Sequence, residues 1–208
     1  MFEKFHGLEQ EKQDRILNAA MKEFAANGFR RASTNVIVQE AGISKGLLFH
    51  YFVNKKQLFL YLFDYVIKLL TEEVFESADW SEPDLFERLR LTMKTKLVIW
   101  KRYPQLFKFV EAAYLETDGV VRPEMEERIQ KLYASRTPLI LQGLDLSRFR
   151  PGLDVAKSLM VIIWSLEKLG DHLLQTRKPS EADVSRYEEM TAEAETYLDL
   201  LKKAFYTE

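Results

Sequence analysis

The chain reads as an all-α protein, and three observations lead there. Apolar residues recur at three- and four-residue spacing along most of its 208 residues. No clear period-2 run appears. Breakers are few, with 8 Gly and 6 Pro. The expected architecture is an N-terminal three-helix domain with a helix-turn-helix over residues 1–53. A helical domain over residues 54–208 follows, with helix 54–77 linking the two. Hydrophobic residues make up 47%, enough for a sizeable core. With 0 Cys, disulfides and thiolate metal sites are excluded, and no metal site or cofactor is expected. No apolar run reaches membrane-spanning length, and the start, MFEKFHGLEQEKQ, lacks the apolar stretch of a secretion signal. A cytoplasmic protein is expected.

Residues 1–8 read as a frayed lead-in. Glu9 to Asn27 forms the first helix, with Ile16, Leu17, Ala20, Met21 and Phe24 on one face, and Gly28 ends it. Phe29 is expected to tuck into the small core with Phe24 and Phe52. Ser33 can cap a second helix, Thr34 to Ala41, whose Ile37, Val38 and Ala41 mark a buried face. Gly42 follows the last periodic residue, where only glycine takes a left-handed conformation without a Cβ clash. Ile43 plugs the turn. Ser44 can cap a third, short helix, Lys45 to Phe52, with Leu48, Phe49 and Phe52 on one face.

Two short helices joined by a glycine-bearing turn form the unit that lays its second helix in the major groove of DNA. An ordinary helical hairpin has the same pattern, so charge decides. From Gly28 to Leu60 the cations are Arg30, Arg31, Lys45, Lys55 and Lys56 against the single anion Glu40, a local net of +4 in a chain whose net charge is −2. A positive patch on an acidic protein is the footprint of phosphate contacts.

These residues resemble the N-terminal domain of TetR-family transcriptional repressors. The resemblance rests on Gly28-Phe29, Ser33, Ile37, Ala41-Gly42-Ile43-Ser44, Gly46, Leu48-Phe49, Tyr51-Phe52 and Lys55, and covers roughly residues 9 to 62. It implies that Ser33, Thr34, Ser44, Tyr51 and Lys55 bind the DNA backbone while Lys45, Gly46, Leu47, Phe49 and His50 line the groove. Phosphate contacts position a protein and base contacts specify sequence. Lys45 can donate to guanine O6 or N7, whereas Leu47 and Phe49 offer only apolar contacts. Two positions depart from the family. Tyrosine is frequent where Phe49 stands, and a small polar residue where Leu47 stands, so directed base contacts are fewer here. Leu47 reads equally as a groove-edge residue without specific readout.

The remaining elements follow in order. Asn54 opens the linking helix, Lys55 to about Ser77, whose early amides and Lys55 are expected to face a phosphate. Ala78 to Pro83 is a loop. Asp84 to Lys101, Gln105 to Glu116 and Pro123 to about Leu141 are helical, the last with a bend at Pro138. Gln142 to Gly152 is a loop. Asp154 to Thr176 is apolar nearly all round and is expected to be buried on most sides. Ser180 to Phe205 is amphipathic.

A symmetric operator demands a symmetric protein, so a homodimer on palindromic double-stranded DNA is expected. The last two helices are the candidate interface, through Leu159, Ile163, Trp164 and Leu166 on one and Tyr187, Tyr197, Leu198 and Leu201 on the other. The same residues also read as intrachain core. The middle helices supply an apolar, aromatic set suited to a small-molecule effector: Trp100, Tyr103, Phe107, Phe109, Tyr114, Tyr133, Met160 and Trp164. Glu111, Glu167 and His172 are its candidate polar groups. Aromatic stripes at this spacing also serve as plain core. The resemblance implies that an unidentified effector binds here and spreads the two reading heads.

An enzyme is the main competing class. The only histidines are His6, His50 and His172. Only the last is placed to act as a base, and its neighbour Asp171 does not share its helix face. No glycine-rich phosphate loop, HExxH or GxSxG motif occurs. A second alternative keeps the DNA-binding head but assigns it to an architectural or division-linked protein without an inducer.

Overall fold

The computed structural model describes residues 2–176 and 184–207, so the expected start of the last helix at Ser180 lies outside the described residues. The described elements are all helical: α1 Glu3–His6, α2 Gln10–Arg31, α3 Thr34–Ala41, α4 Lys45–Phe52, α5 Lys55–Ser77, α6 Leu85–Arg102, α7 Pro104–Tyr114, α8 Arg122–Leu141, α9 Val155–Thr176 and α10 Val184–Phe205. A single 3-10 turn, Leu146–Arg148, interrupts the loop expected after α8. Among the described residues no helix is long and apolar enough to cross a membrane.

The chain folds into two compact units. The first takes residues up to Thr71 together with Tyr103–Leu132, and the second takes Glu72–Arg102 and residues from Tyr133 onward.

In the first unit, α2 carries the core, packing on α3 and α7. Phe24 meets Phe59 edge-on at 5.0 Å between ring centroids, and both lie against Phe109 of α7. Phe29 joins this cluster through Phe59, at 5.4 Å. Phe52, expected beside Phe29, instead sits with Phe5 and Tyr61. The reason is α1, which corrects the expectation of a frayed lead-in. Phe5 is fully buried, its ring 4.7 Å from Phe52 and 6.2 Å from Tyr51. Burying one such ring contributes roughly 1.5–3 kcal/mol, enough to order a single helical turn.

Gly28 does not end the first helix; it kinks it. At φ 65° and ψ 177° it occupies a region open essentially to glycine alone, and a last turn continues to Arg31. A Cβ there would stand 3.0 Å from Oε2 of Glu116. Gly42 stops α3 in the left-handed conformation, φ 66° and ψ 38°. Ile43 N–H donates to Val38 O at 3.0 Å and Gly42 N–H to Gln39 O at 3.3 Å, the paired closure of a Schellman turn. Ser44 caps α4 by accepting from Leu47 N–H at 3.2 Å. Ser33 stands at the N-cap of α3 but makes no side-chain cap bond. Its own N–H donates instead to the buried Glu23 at 2.8 Å.

In the second unit, α6 and α9 pack on α10. Leu85, Phe86, Leu159, Ile162, Leu198, Phe149 and Tyr206 form its core. Arg88 is buried in α6, and its guanidinium donates to the carbonyls of Glu82, Ile140 and Gln142, tying three chain segments together. Helix α9 departs from the expectation of burial on most sides. Ser158, Leu159, Ile162, Ile163, Leu169 and Leu173 are buried, but Val161 and Trp164 are exposed, Trp164 by 59%.

Candidate nucleic-acid interface

Helix α4 is amphipathic in a way that sorts the expected contacts. Leu48, Tyr51 and Phe52 face inward at i, i+3 and i+4, while Ser44, Lys45, Gly46, Leu47 and His50 are exposed and Phe49 is half-buried. The open face is thus the one that carries the expected groove-lining set. Lys45 makes no ion pair or hydrogen bond among the described residues, so its charge is available. A Cβ on Gly46 would meet nothing nearer than Ser44 Oγ at 4.0 Å. The chain itself therefore has room for a side chain there.

Ser33 and Thr34 are half-buried at the start of α3. With no side chain capping that helix, its first-turn amides are left to an outside acceptor. Tyr51 lies behind the open face at 7% exposure, its ring turned to Phe5. Lys55 is also turned toward the protein. Its Nζ donates to Arg30 O and Ala32 O, both at 3.1 Å, and stands 4.9 Å over the Phe29 ring. A lysine satisfied by the last carbonyls of a helix holds that helix end in place.

The junction between α2 and α3 is held by three charged side chains acting on backbone. Lys55 takes two carbonyls, Glu23 takes Ser33 N–H, and Glu116 Oε2 accepts from Phe29 N–H at 2.6 Å. Glu116 Oε1 accepts from Thr117 and Asp118 N–H at 2.9 and 3.0 Å, so the carboxylate also folds its own loop. Spacing along the sequence carries no signal of Glu116, which lies 87 residues from its partner.

The charge of this surface is less uniform than the sequence count. Lys56 pairs with Glu124, and Glu40 pairs with Lys22 at 2.6 Å. Arg30, Arg31 and Lys45 are the exposed cations of the stretch without a carboxylate partner among the described residues. Arg30 and Arg31 belong to the positive patch but not to the expected contact set.

The expected effector residues divide between the units. Tyr103, Phe107, Glu111 and Tyr114 are half-buried in the first, where Phe109 is core. Trp100, Tyr133, Met160, Trp164 and Glu167 belong to the second. There Trp100 is buried against the Tyr187 ring. Burial, with the Glu167 and Asp171 carboxylates beside it, pushes the Tyr133 phenol up, and burial pushes the Glu167 carboxyl up.

Of the expected interface residues, Leu159 and Leu198 lie in the core of their own chain, and Ile163 and Tyr187 are buried. Leu166 and Leu201 are half-buried along an open groove between α9 and α10, which Leu169, His172, Tyr197 and Leu200 also line. Val161 and Leu200, which the apolar pattern did not single out, are exposed with Trp164 and Tyr197.

Comparison with known proteins places this architecture. Residues 16–62 match the family model of bacterial regulatory proteins of the tetR family. The fatty acid metabolism regulator protein of Bacillus subtilis (strain 168) is 23% identical over 163 residues, 76% of this chain and 80% of that protein. The nucleoid occlusion factor SlmA of Vibrio vulnificus (strain YJ016) is 25% identical over 128 residues, 62% of this chain but less than two thirds of that protein, 63%. A crystal structure of a TetR-family transcriptional regulator from Chloroflexus aurantiacus J-10-FL superposes with a TM-score of 0.68 at 25% identity, covering 99% of this chain and 98% of that one. Residues 16–62 thus carry the DNA-binding domain of the tetR family, the chain as a whole shares the fold of a TetR-family transcriptional regulator, and these relatives are regulators of transcription rather than enzymes.

Proposed function

We propose that the protein is a cytoplasmic repressor that binds a palindromic operator as a homodimer and is released by a small lipophilic effector. Residues 1–53 are the reading head, and residues 54–208 bind effector and partner, with helix 54–77 linking them. The observation that carries the reading is the open face of α4. It presents an unpaired Lys45, a glycine the fold does not require and an exposed His50 on one short helix. Lys45, Gly46, Leu47, Phe49 and His50 enter the major groove, and Ser33, Thr34 and Ser44 meet phosphates on its rims. Tyr51 and Lys55 hold this helix pair from behind, so their effect on binding is largely indirect.

The dimer forms through the exposed strip of Val161, Trp164, Tyr197 and Leu200 and the groove beside it. An effector acts by binding better to the spacing of heads that does not fit the operator, since a ligand indifferent to the two states shifts nothing. The name of the Bacillus relative, a regulator of fatty acid metabolism, favours a lipophilic effector. Selection of bound sites from random duplexes tests the reading. Two inverted half-sites separated by about one helical turn are expected. Enrichment of single, asymmetric sites, or of none, would refute it.

A further inference from the structure

The turn between α2 and α3 carries two charges that the expected contact set leaves out. Past the Gly28 kink the chain runs Phe29, Arg30, Arg31 and Ala32. Phe29 and Ala32, three residues apart, are buried, which turns Arg30 and Arg31 outward to solvent. Neither arginine meets a carboxylate among the described residues. Arg31 Nε donates to Asn27 O at 3.4 Å, a neutral carbonyl that leaves the charge uncompensated. Elsewhere in the same unit Arg15, Lys22 and Lys131 each lie against a carboxylate.

Two exposed arginines on a free loop would carry no meaning by themselves. These stand on backbone that is fixed from three directions. Lys55 Nζ holds the carbonyls of Arg30 and Ala32, Glu116 holds Phe29 N–H, and Glu23 holds Ser33 N–H. The two carboxylates at this turn thus meet backbone N–H groups, and neither meets an arginine. Cations presented by ordered backbone lose less freedom when they engage a partner. The turn is also continuous with the face assigned to DNA. Arg31 precedes Ser33 by two residues, at most about 7 Å of extended chain. Ser33 opens α3, whose first turn has no side-chain cap.

The geometry points to Arg30 and Arg31 as operator phosphate contacts that carry the footprint past the helix-turn-helix, along the strand that Ser33 and Thr34 meet. The inference rests on the DNA-binding reading above and adds two residues to it, whose task is to position the chain and not to read sequence. A guanidinium offers a phosphate two parallel N–H donors. Each phosphate so neutralised releases counterions, and the salt dependence of binding counts them.

The test measures affinity of the full chain for the selected operator across a salt series. The variants are Arg30→Ala, Arg31→Ala and the double variant, with Lys94→Ala, an exposed cation of the second unit, as the control for net charge. Each single arginine variant is expected to weaken binding and to flatten the plot of log affinity against log salt by about one per bound chain, and the double variant by about two. Lys94→Ala is expected to keep the wild-type slope. Sites selected by the double variant are expected to keep the wild-type sequence, and its unfolding midpoint in urea to match the wild type, since both side chains are exposed. On duplexes with single phosphates replaced by neutral methylphosphonates, at least one position in each half-site is expected to weaken the wild type but not the double variant. An unchanged slope in the arginine variants, an equal drop in Lys94→Ala, or equal losses for wild type and double variant at every methylphosphonate would overturn the inference while the DNA-binding reading stands. A changed site preference would move the arginines to base edges and overturn it likewise. If the wild type binds no duplex, the DNA-binding reading itself falls and takes this inference with it.

Discussion

Gly46 and Lys55 separate what the fold needs from what DNA needs. Nothing in the chain crowds a Cβ at Gly46, and alanine is the better helix former by about 1 kcal/mol. Gly46→Ala is therefore expected to raise resistance to urea while weakening operator binding, because the added methyl meets the duplex. A variant that loses both together would show that Gly46 serves the fold. Lys55 is the opposite case. Its ammonium is engaged by Arg30 O and Ala32 O. Lys55→Ala is expected to cost about 1.5 kcal/mol of stability and to weaken binding to all sequences alike, with little change in salt slope. A slope reduced by about one would place Lys55 on a phosphate. Residues of this kind also mark the limit of sequence reading. The caps at Gly42 and Ser44 were legible because their partners lie within six residues. Phe5 and Glu116 were not, since their meaning depends on what the fold brings beside them.

At the scale of elements, the joints of the reading head are more constrained than its helices. Val53 closes α4 with φ 66° and ψ −53°, and Asn54 N–H donates to Phe52 O at 2.7 Å across it. This is a tight three-residue turn that an exposed, β-branched residue tolerates poorly. Val53→Gly is expected to raise the unfolding free energy by about 1 kcal/mol, read by urea denaturation, with the fold unchanged. The kink in α2 is held from farther away. Glu116→Ala leaves Phe29 N–H without its acceptor and is expected to speed hydrogen exchange at that amide, with operator affinity falling although no DNA-facing atom changes. If exchange at Phe29 is unaltered, the carboxylate is not what holds the kink. Helix positions were largely legible, because α3, α4 and α6 each carry a clear apolar period. Which apolar face meets which neighbour was not. Leu198 and Trp164 have similar hydrophobicity in sequence, yet one is fully buried and the other largely exposed.

At the scale of the whole molecule, the exposed strip on α9 and α10 is the proposed dimer interface. Trp164→Glu places a charge in its middle and is expected to shift the protein from dimer to monomer in sedimentation, and with it to abolish preference for two-sided operators. A charged variant that still sediments as a dimer would move the interface elsewhere. The first unit carries another consequence, because it is discontinuous in sequence. Phe109, Val121 and Met125 are fully buried and belong to it, though Glu72–Arg102 come between them and the helices they complete. During translation the first unit cannot seal its core until about residue 125 has cleared the ribosome. At roughly 5–20 residues per second, that leaves seconds in which α2 and α5 wait with Phe24 and Phe59 uncovered. Hold-type chaperones therefore have a window on the nascent chain, and a stop codon placed anywhere in α6 would yield a polypeptide with every groove-facing residue and no durable DNA binding.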